Sequence, residues 1–74
     1  MSDGVTTAAI NTPFIELDKL LKRENLADSG GAARRLIASG RVTVNGEAES
    51  RKRRKLYPGD VVAAQGRVLR VVAE

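Results

Sequence analysis

The fold is decided by residues 26–46, which read LADSGGAARRLIASGRVTVNG. Within this stretch, apolar side chains recur at the i, i+3, i+4 spacing of one helical face, at Ala33, Leu36 and Ile37. The pair Asp28-Ser29 supplies an N-cap side chain before these residues, and Gly40 follows them at a position where helices commonly end. The pattern therefore predicts a helix over residues 30–39.

The same stretch ends in a predicted β-hairpin. Residues 41–44 alternate polar and apolar side chains, and Asn45-Gly46 is a strong two-residue turn because both positions tolerate positive φ. Further strands are predicted over residues 61–64 and 68–73, each preceded by a Gly-containing turn.

A second helix is predicted upstream, over residues 16–24, where Leu17, Leu20 and Leu21 form one apolar face. Phe14-Ile15 is expected to form a short edge strand, and Leu26 to fold back onto the core. The fold class is therefore α+β, with two helices packed on a small, mostly antiparallel sheet. Residues 1–12 are small and polar without periodicity, which predicts a flexible arm before a folded domain at 13–74.

Composition excludes most enzyme chemistry. The 74 residues contain no cysteine and no histidine, which removes thiolates, imidazoles and disulfides. Gly30-Gly31 lacks the lysine and spacing of a phosphate loop, and Glu47 and Glu49 are expected to balance nearby positive charge. We therefore expect no catalysis, cofactor or metal. Because no apolar stretch approaches about 20 residues and no signal-peptide pattern is present, we expect a cytoplasmic protein.

Positive charge is concentrated in the middle of the chain. The chain has thirteen Lys and Arg residues and nine Asp and Glu residues, which gives a net charge of +4. The densest cluster is Arg51, Lys52, Arg53, Arg54 and Lys55, five consecutive cations. These neighbouring cations repel one another, and a bound polyanion offsets the repulsion because it attracts all five. A solvated strand edge and a membrane-surface or localisation patch are the alternatives for this run.

A second candidate site is the start of the helix predicted at 30–39. Ser29, Gly30 and Gly31 suit a phosphate, because first-turn amides are unpaired and glycine permits close approach. Arg34 and Arg35, one turn further on, would then hold neighbouring phosphates. The alternative is that Ser29 is only a cap, the glycines relieve close helix packing, and the arginines form a solvated face.

The scarcity of aromatic residues narrows the mode of nucleic-acid binding. Phe14 and Tyr57 are the two aromatic residues of the chain, so a platform that stacks many unpaired bases is not expected. Tyr57 is expected to anchor the core or a turn. Recognition of phosphates and helical shape in folded RNA or a duplex remains, and charge alone does not distinguish RNA from DNA.

A known family shares these features. Residues 17–21 (LDKLL), 27–29 (ADS), 42–46 (VTVNG) and 59–62 (GDVV), with Ala33-Arg34, Leu36-Ile37 and Gly40 between them, resemble the RNA-binding domain first described in ribosomal small-subunit protein four, also called the alpha-L motif. The resemblance covers residues 15–62. Ser29-Gly30-Gly31 and residues 51–60 also resemble its small stand-alone bacterial members.

The resemblance implies a module that binds structured RNA, with ribosomal RNA as the expected target, without the chemistry of larger relatives. We expect the protein to be a monomer. The RNA-facing surface it implies carries over to Ser29, Gly30, Arg34, Arg35, Arg41 and the run 51–55. Many members have arginine directly after the serine, where this chain has Gly30, so that contact is lost or transferred to Arg34, Arg35 or Lys52. Two alternatives stay open: a module that docks an acidic protein partner, and an accessory that presents RNA to a separate enzyme.

Overall fold

The computed structural model describes residues 4–74, which form two short helices and seven strands. In chain order the elements are β1 (Val5–Ile10), β2 (Ile15–Glu16), α1 (Leu17–Arg23), α2 (Gly30–Ala38), β3 (Thr43–Val44), β4 (Glu47–Ala48), β5 (Lys55–Leu56), β6 (Val61–Ala64) and β7 (Arg67–Ala73). Both predicted helices, the hairpin and the two C-terminal strands are present within a residue or two of their expected bounds.

The strands form a five-stranded sheet in the order β1-β7-β6-β3-β4 and a small second sheet of β2 and β5. All pairs are antiparallel except β1 with β7. The helices and sheet share one apolar core, to which α1 contributes Leu17, Leu20 and Leu21 and β7 contributes Leu69 and Val71. The predicted α+β class, two helices on a mostly antiparallel sheet, is confirmed.

The predicted flexible arm is wrong for most of its length. Residues Val5–Ile10 form β1, which runs parallel to β7 in a register that places Val5 opposite Val68 and Ile10 opposite Ala73. The physical reason is burial: Ala8 and Ile10 alternate into the core and are at most 3% exposed. The folded domain therefore begins at β1 and not at Pro13. The first three residues of the predicted arm lie outside the described residues.

Asn45 ties the hairpin turn to the start of β6. It adopts φ of 53°, as the two-residue turn requires. Its side-chain amide donates to Asp60 Oδ1 at 3.1 Å, and its Oδ1 accepts from the Val61 amide at 2.9 Å. One residue thus supplies both the turn conformation and the connection between two neighbouring loops.

Candidate functional site

The first turn of α2 has two unoccupied backbone donors. Ser29 caps the helix as predicted, since its Oγ accepts from the Ala32 amide at 3.1 Å. The amides of Gly30 and Gly31 donate to no acceptor among residues 4–74. These N–H groups lie at the positive end of the helix dipole, where an anion is stabilised.

Two arginine side chains bend back toward this same turn. A Cβ atom built on Gly30 would lie 3.6 Å from Nη1 of Arg34, and one built on Gly31 would lie 3.7 Å from Nη1 of Arg35. Both arginines are exposed, and neither forms a salt bridge within the described part of the chain. The first turn carries no acidic residue. Positive groups therefore gather where the helix dipole is already positive.

Packing does not explain the paired glycines. A Cβ on Gly30 or Gly31 would meet its neighbours at 3.6 Å or more, which is ordinary van der Waals contact, and these neighbours are side-chain atoms. Neither glycine has a positive φ. Alanine would therefore fit at both positions, so the alternative in which the glycines relieve close helix packing is not supported.

Arg35 also lines an open cleft with Arg41. The cleft has a volume of about 470 Å³, and its wall includes Asp28 from the loop before α2, Leu36 from α2 and Gln65 from the turn between β6 and β7. Arg41, predicted from sequence as a site residue, is thereby brought beside α2 although it lies beyond the helix end.

The run 51–55 is partly neutralised by one carboxylate. Glu49 is 7% exposed, and it accepts hydrogen bonds from Nε and Nη2 of Arg51 at 2.9 Å each and from Nη1 of Arg54 at 2.6 Å. These bonds, with a further one from the Arg51 amide, hold the pKa of Glu49 far below its ordinary range. The same carboxylate raises the pKa of Arg51. The predicted charge-balancing role of Glu49 is confirmed, and Arg51 and Arg54 are structural ion-pair partners.

The backbone of this run caps α1. The Leu17 amide donates to the Arg54 carbonyl at 2.9 Å, and the Asp18 amide donates to the Lys52 carbonyl at 3.0 Å. With its carbonyls turned to the helix, the loop leaves the side chains of Lys52 and Arg53 exposed and without a salt bridge among residues 4–74.

The predicted site residues thus fall into two groups. The first, the α2 cluster, consists of Ser29, Gly30, Gly31, Arg34, Arg35 and Arg41. The second, the basic loop, consists of Arg51, Lys52, Arg53, Arg54 and Lys55. Helix α1 connects them, since its N-terminus meets the basic loop and its C-terminus leads into α2. Seven residues of helix span roughly 10 Å. That both groups face one RNA stays a prediction.

Lys22 was not among the site residues predicted from the sequence. It lies on α1 between the two groups along the chain, is exposed, and forms no salt bridge in the part that the structure describes. Its neighbours Lys19 and Arg23 instead pair with Glu16 and Glu24. The outward position of Lys22 on the helix predicted at 16–24 was a signal that could have identified it.

Tyr57 does not anchor the core. Its side chain is 49% exposed, and its ring centroid lies 5.9 Å from that of Phe14. The residue does occupy a turn, held by Asp60: the Tyr57 amide donates to Asp60 Oδ2 at 2.8 Å, and the Asp60 amide donates to the Tyr57 carbonyl at 2.9 Å. These bonds use its backbone and leave the aromatic ring outside the core.

Residues 4–74 offer neither a cluster of metal ligands nor a membrane-spanning helix. No three His, Cys, Asp or Glu side chains in this range lie close enough together to hold a metal ion. Neither of the helices described here is long and apolar enough to cross a membrane.

Comparison with known proteins gives one consistent family. The family model described as "S4 domain" matches residues 8–72, which begins inside β1. The chain is 44% identical over 61 residues to "Putative RNA-binding protein YbcJ" of Escherichia coli, covering 82% of this chain and 87% of that protein. It is 41% identical over 58 residues to "Probable ribosome maturation protein RlbA" of Bacillus subtilis, covering 78% and 82% respectively.

A solved structure shares the fold. The solution structure of YbcJ from E. coli superimposes with a TM-score of 0.68 at 37% sequence identity, covering 99% of this chain and 91% of that one. That structure was described as revealing an alpha-L motif involved in RNA-binding.

Proposed function

The chain belongs to the S4 domain family, and we propose that it is a non-catalytic protein that binds structured RNA, with ribosomal RNA as the first target to test. The names of two similar proteins support the class of ligand: one is named as RNA-binding and the other as a ribosome maturation protein. The proposed contacts are the α2 cluster together with Lys52, Arg53 and Lys55 of the basic loop.

The observation that carries the proposal is the unbalanced positive charge at the start of α2. Two free amides and two guanidinium groups converge on one helical turn without an acidic partner among the described residues. Positive side chains at a helix N-terminus are repelled by each other and by the positive end of the helix dipole, unless an anion binds among them. A phosphate group supplies that anion, because its oxygens accept from backbone amides and from the planar fork of arginine at once.

Two acidic side chains of the domain are engaged elsewhere. Glu49 holds Arg51 and Arg54, and Asp60 holds the turn at Tyr57 and the side chain of Asn45. Asp28, in the loop before α2, forms no salt bridge with Arg34 or Arg35, so we infer that a ligand supplies the anion for the α2 cluster. Lys52 and Arg53 would contact further phosphates of the same RNA and position it, since such contacts carry little sequence information.

Salt dependence of binding tests the proposal. A fluorescein-labelled ribosomal RNA fragment is titrated with the protein at several salt concentrations, and its anisotropy gives the affinity. About five phosphate contacts predict that log K falls with a slope of roughly −3.5 to −4.5 against log salt. Unlabelled RNA should compete fully. Polyglutamate of equal charge should compete poorly, and if it displaced the RNA as well as RNA does, the surface would instead be one that docks an acidic protein.

A further inference from the structure

We propose that Tyr57 stacks on one unpaired base of the bound RNA while Lys55 contacts a phosphate beside that base. This inference rests on the RNA binding proposed above and adds a binding mode that the phosphate contacts do not provide. An extended stacking platform is still excluded by composition, because Phe14 and Tyr57 are the two aromatic residues in the whole chain. A single stacking contact needs only one accessible ring.

The fold brings these two rings together from distant parts of the sequence. Phe14 directly precedes β2 and Tyr57 directly follows β5, and pairing of β2 with β5 places Ile15 opposite Leu56. The ring centroids are 5.9 Å apart with their planes inclined by 49°. Phe14 is half-buried and supports the ring of Tyr57 from one side.

A cation completes the group. Nζ of Lys55 lies 4.9 Å from the centroid of the Phe14 ring, a distance typical of a cation–π contact. Lys55 is the last residue of the basic loop, so the aromatic pair adjoins the segment that contacts phosphates in the proposed function. The exposed ring of Tyr57 and the nearby ammonium group of Lys55 fit the two parts of a nucleotide. The ring can stack on the planar base, and the ammonium group can contact the adjacent phosphate.

The turn at Tyr57 is held by the backbone of this residue and not by its ring. The turn that holds this residue depends on hydrogen bonds between its backbone and Asp60, and the ring is 49% exposed. The ring is therefore available to a ligand, and replacing it leaves the hydrogen bonds of the turn intact. Any base can stack on an accessible aromatic ring, because every base has a π-face.

Matched RNAs test the inference with the full chain. The probes are an RNA hairpin with a loop of six adenosines and the same hairpin with six abasic nucleotides in the loop, so that the phosphates stay constant. We expect the wild-type protein to bind the abasic hairpin about 5- to 100-fold more weakly. Tyr57→Leu should lose the same factor on the adenosine hairpin and nothing on the abasic one, whereas Tyr57→Phe should bind both hairpins as the wild type does.

A second measurement needs no variant. The chain has one tyrosine and no tryptophan, so its intrinsic fluorescence on excitation near the tyrosine maximum reports Tyr57 alone. The adenosine hairpin should quench this emission, and the abasic hairpin bound to the same occupancy should quench it much less. Because the quenching is measured on the wild-type protein, it tests base stacking even if Tyr57→Leu does not fold.

The outcomes separate the two proposals. Equal affinity and equal quenching for the two hairpins would overturn base stacking while leaving RNA binding intact. Failure of the wild-type protein to bind either hairpin or any ribosomal RNA fragment would overturn the proposed function itself.

Discussion

The α2 cluster has three cations and the basic loop has five, and the two regions differ in how many of these cations folding pairs with an acidic side chain. In the basic loop, Glu49 forms salt bridges with two of the five cations, and the loop backbone caps α1. In the α2 cluster, Arg34 and Arg35 have no acidic partner among residues 4–74 and gather at free amides. The denser run therefore keeps three cations unpaired within the described part of the chain, no more than the α2 cluster does, and charge density in the sequence overstates what the basic loop offers a ligand.

The largest expected effect tests the α2 cluster directly. Reversing Arg34 and Arg35 together to Glu should weaken RNA binding by at least about 100-fold, because two charge-assisted contacts of about 1.5 kcal/mol or more each are lost. Thermal unfolding should be little changed, since both side chains are exposed. Anisotropy with labelled RNA measures the affinity. Arg70→Glu, the reversal of one exposed arginine on β7, is the control. It changes the net charge by half as much as the double variant, so a loss of about 10-fold there, half the free energy, would mean that net charge alone governs binding.

The next effect tests the structural role assigned to Glu49. Glu49→Gln should lower the free energy of unfolding at pH 7 by roughly 1–3 kcal/mol, because a buried acceptor of charged hydrogen bonds is weakened. Denaturant titration measures it, with Glu47→Gln on the exposed β4 as the control. If both variants were equally stable, the ion pairs around Glu49 would contribute nothing to folding.

The same variant predicts a pH dependence. Because the folded-state pKa of Glu49 is lowered below the unfolded value of about 4.3, its contribution is complete above that value and is lost as pH falls toward the folded pKa. The stability difference between wild type and Glu49→Gln should therefore shrink between about pH 5 and pH 2. A difference that stays constant over this range would show that the carboxylate charge is not what stabilises the loop.

A smaller effect separates neighbours within the basic loop. Arg53→Ala should reduce the salt slope of RNA binding by roughly one, equally for all RNAs, without changing stability. Arg54→Ala should instead lower stability, because its guanidinium holds the buried Glu49. Salt titration and thermal unfolding of the two variants give the comparison. An unchanged salt slope in Arg53→Ala would remove this side chain from the interface.

The smallest expected effect concerns the glycines. Gly30→Ala should raise the free energy of unfolding by up to about 1 kcal/mol, since alanine fits and costs less backbone entropy. RNA binding should weaken, because the methyl group would stand between the amide and a phosphate. Ala38→Gly at the other end of α2 should lower stability and leave binding unchanged. Improved stability with unaltered binding in Gly30→Ala would place the phosphate elsewhere.

The helices, the hairpin and the two C-terminal strands were predictable because their signals are local. Helical spacing at Leu17, Leu20 and Leu21 and the Asn45-Gly46 turn depend only on near neighbours. Strand β1 was missed because its small residues give a weak pattern, although Ala8 and Ile10 do alternate inward, and because its partner β7 lies at the far end of the chain.

Within the candidate site, residue types were predictable and their partners were not. The sequence indicated that Glu49 would balance charge, but only the turn over residues 50–54 determines that Arg51 and Arg54 reach it while Lys52 and Arg53 do not. Similarly, Tyr57 was expected to anchor the core or a turn, and nothing local reveals that β2–β5 pairing leaves its ring half-exposed beside Phe14.

The parallel pairing of β1 with β7 has a consequence for the order of events during synthesis. Among the described strands, β1 is translated first and waits longest for its hydrogen-bonding partner, because β7 follows every other described element in the chain. Until then Ile10 has no β7 to pack beside, and the helices and hairpin must form with one edge of the sheet unfinished. Completion of the domain is therefore coupled to translation of its last strand.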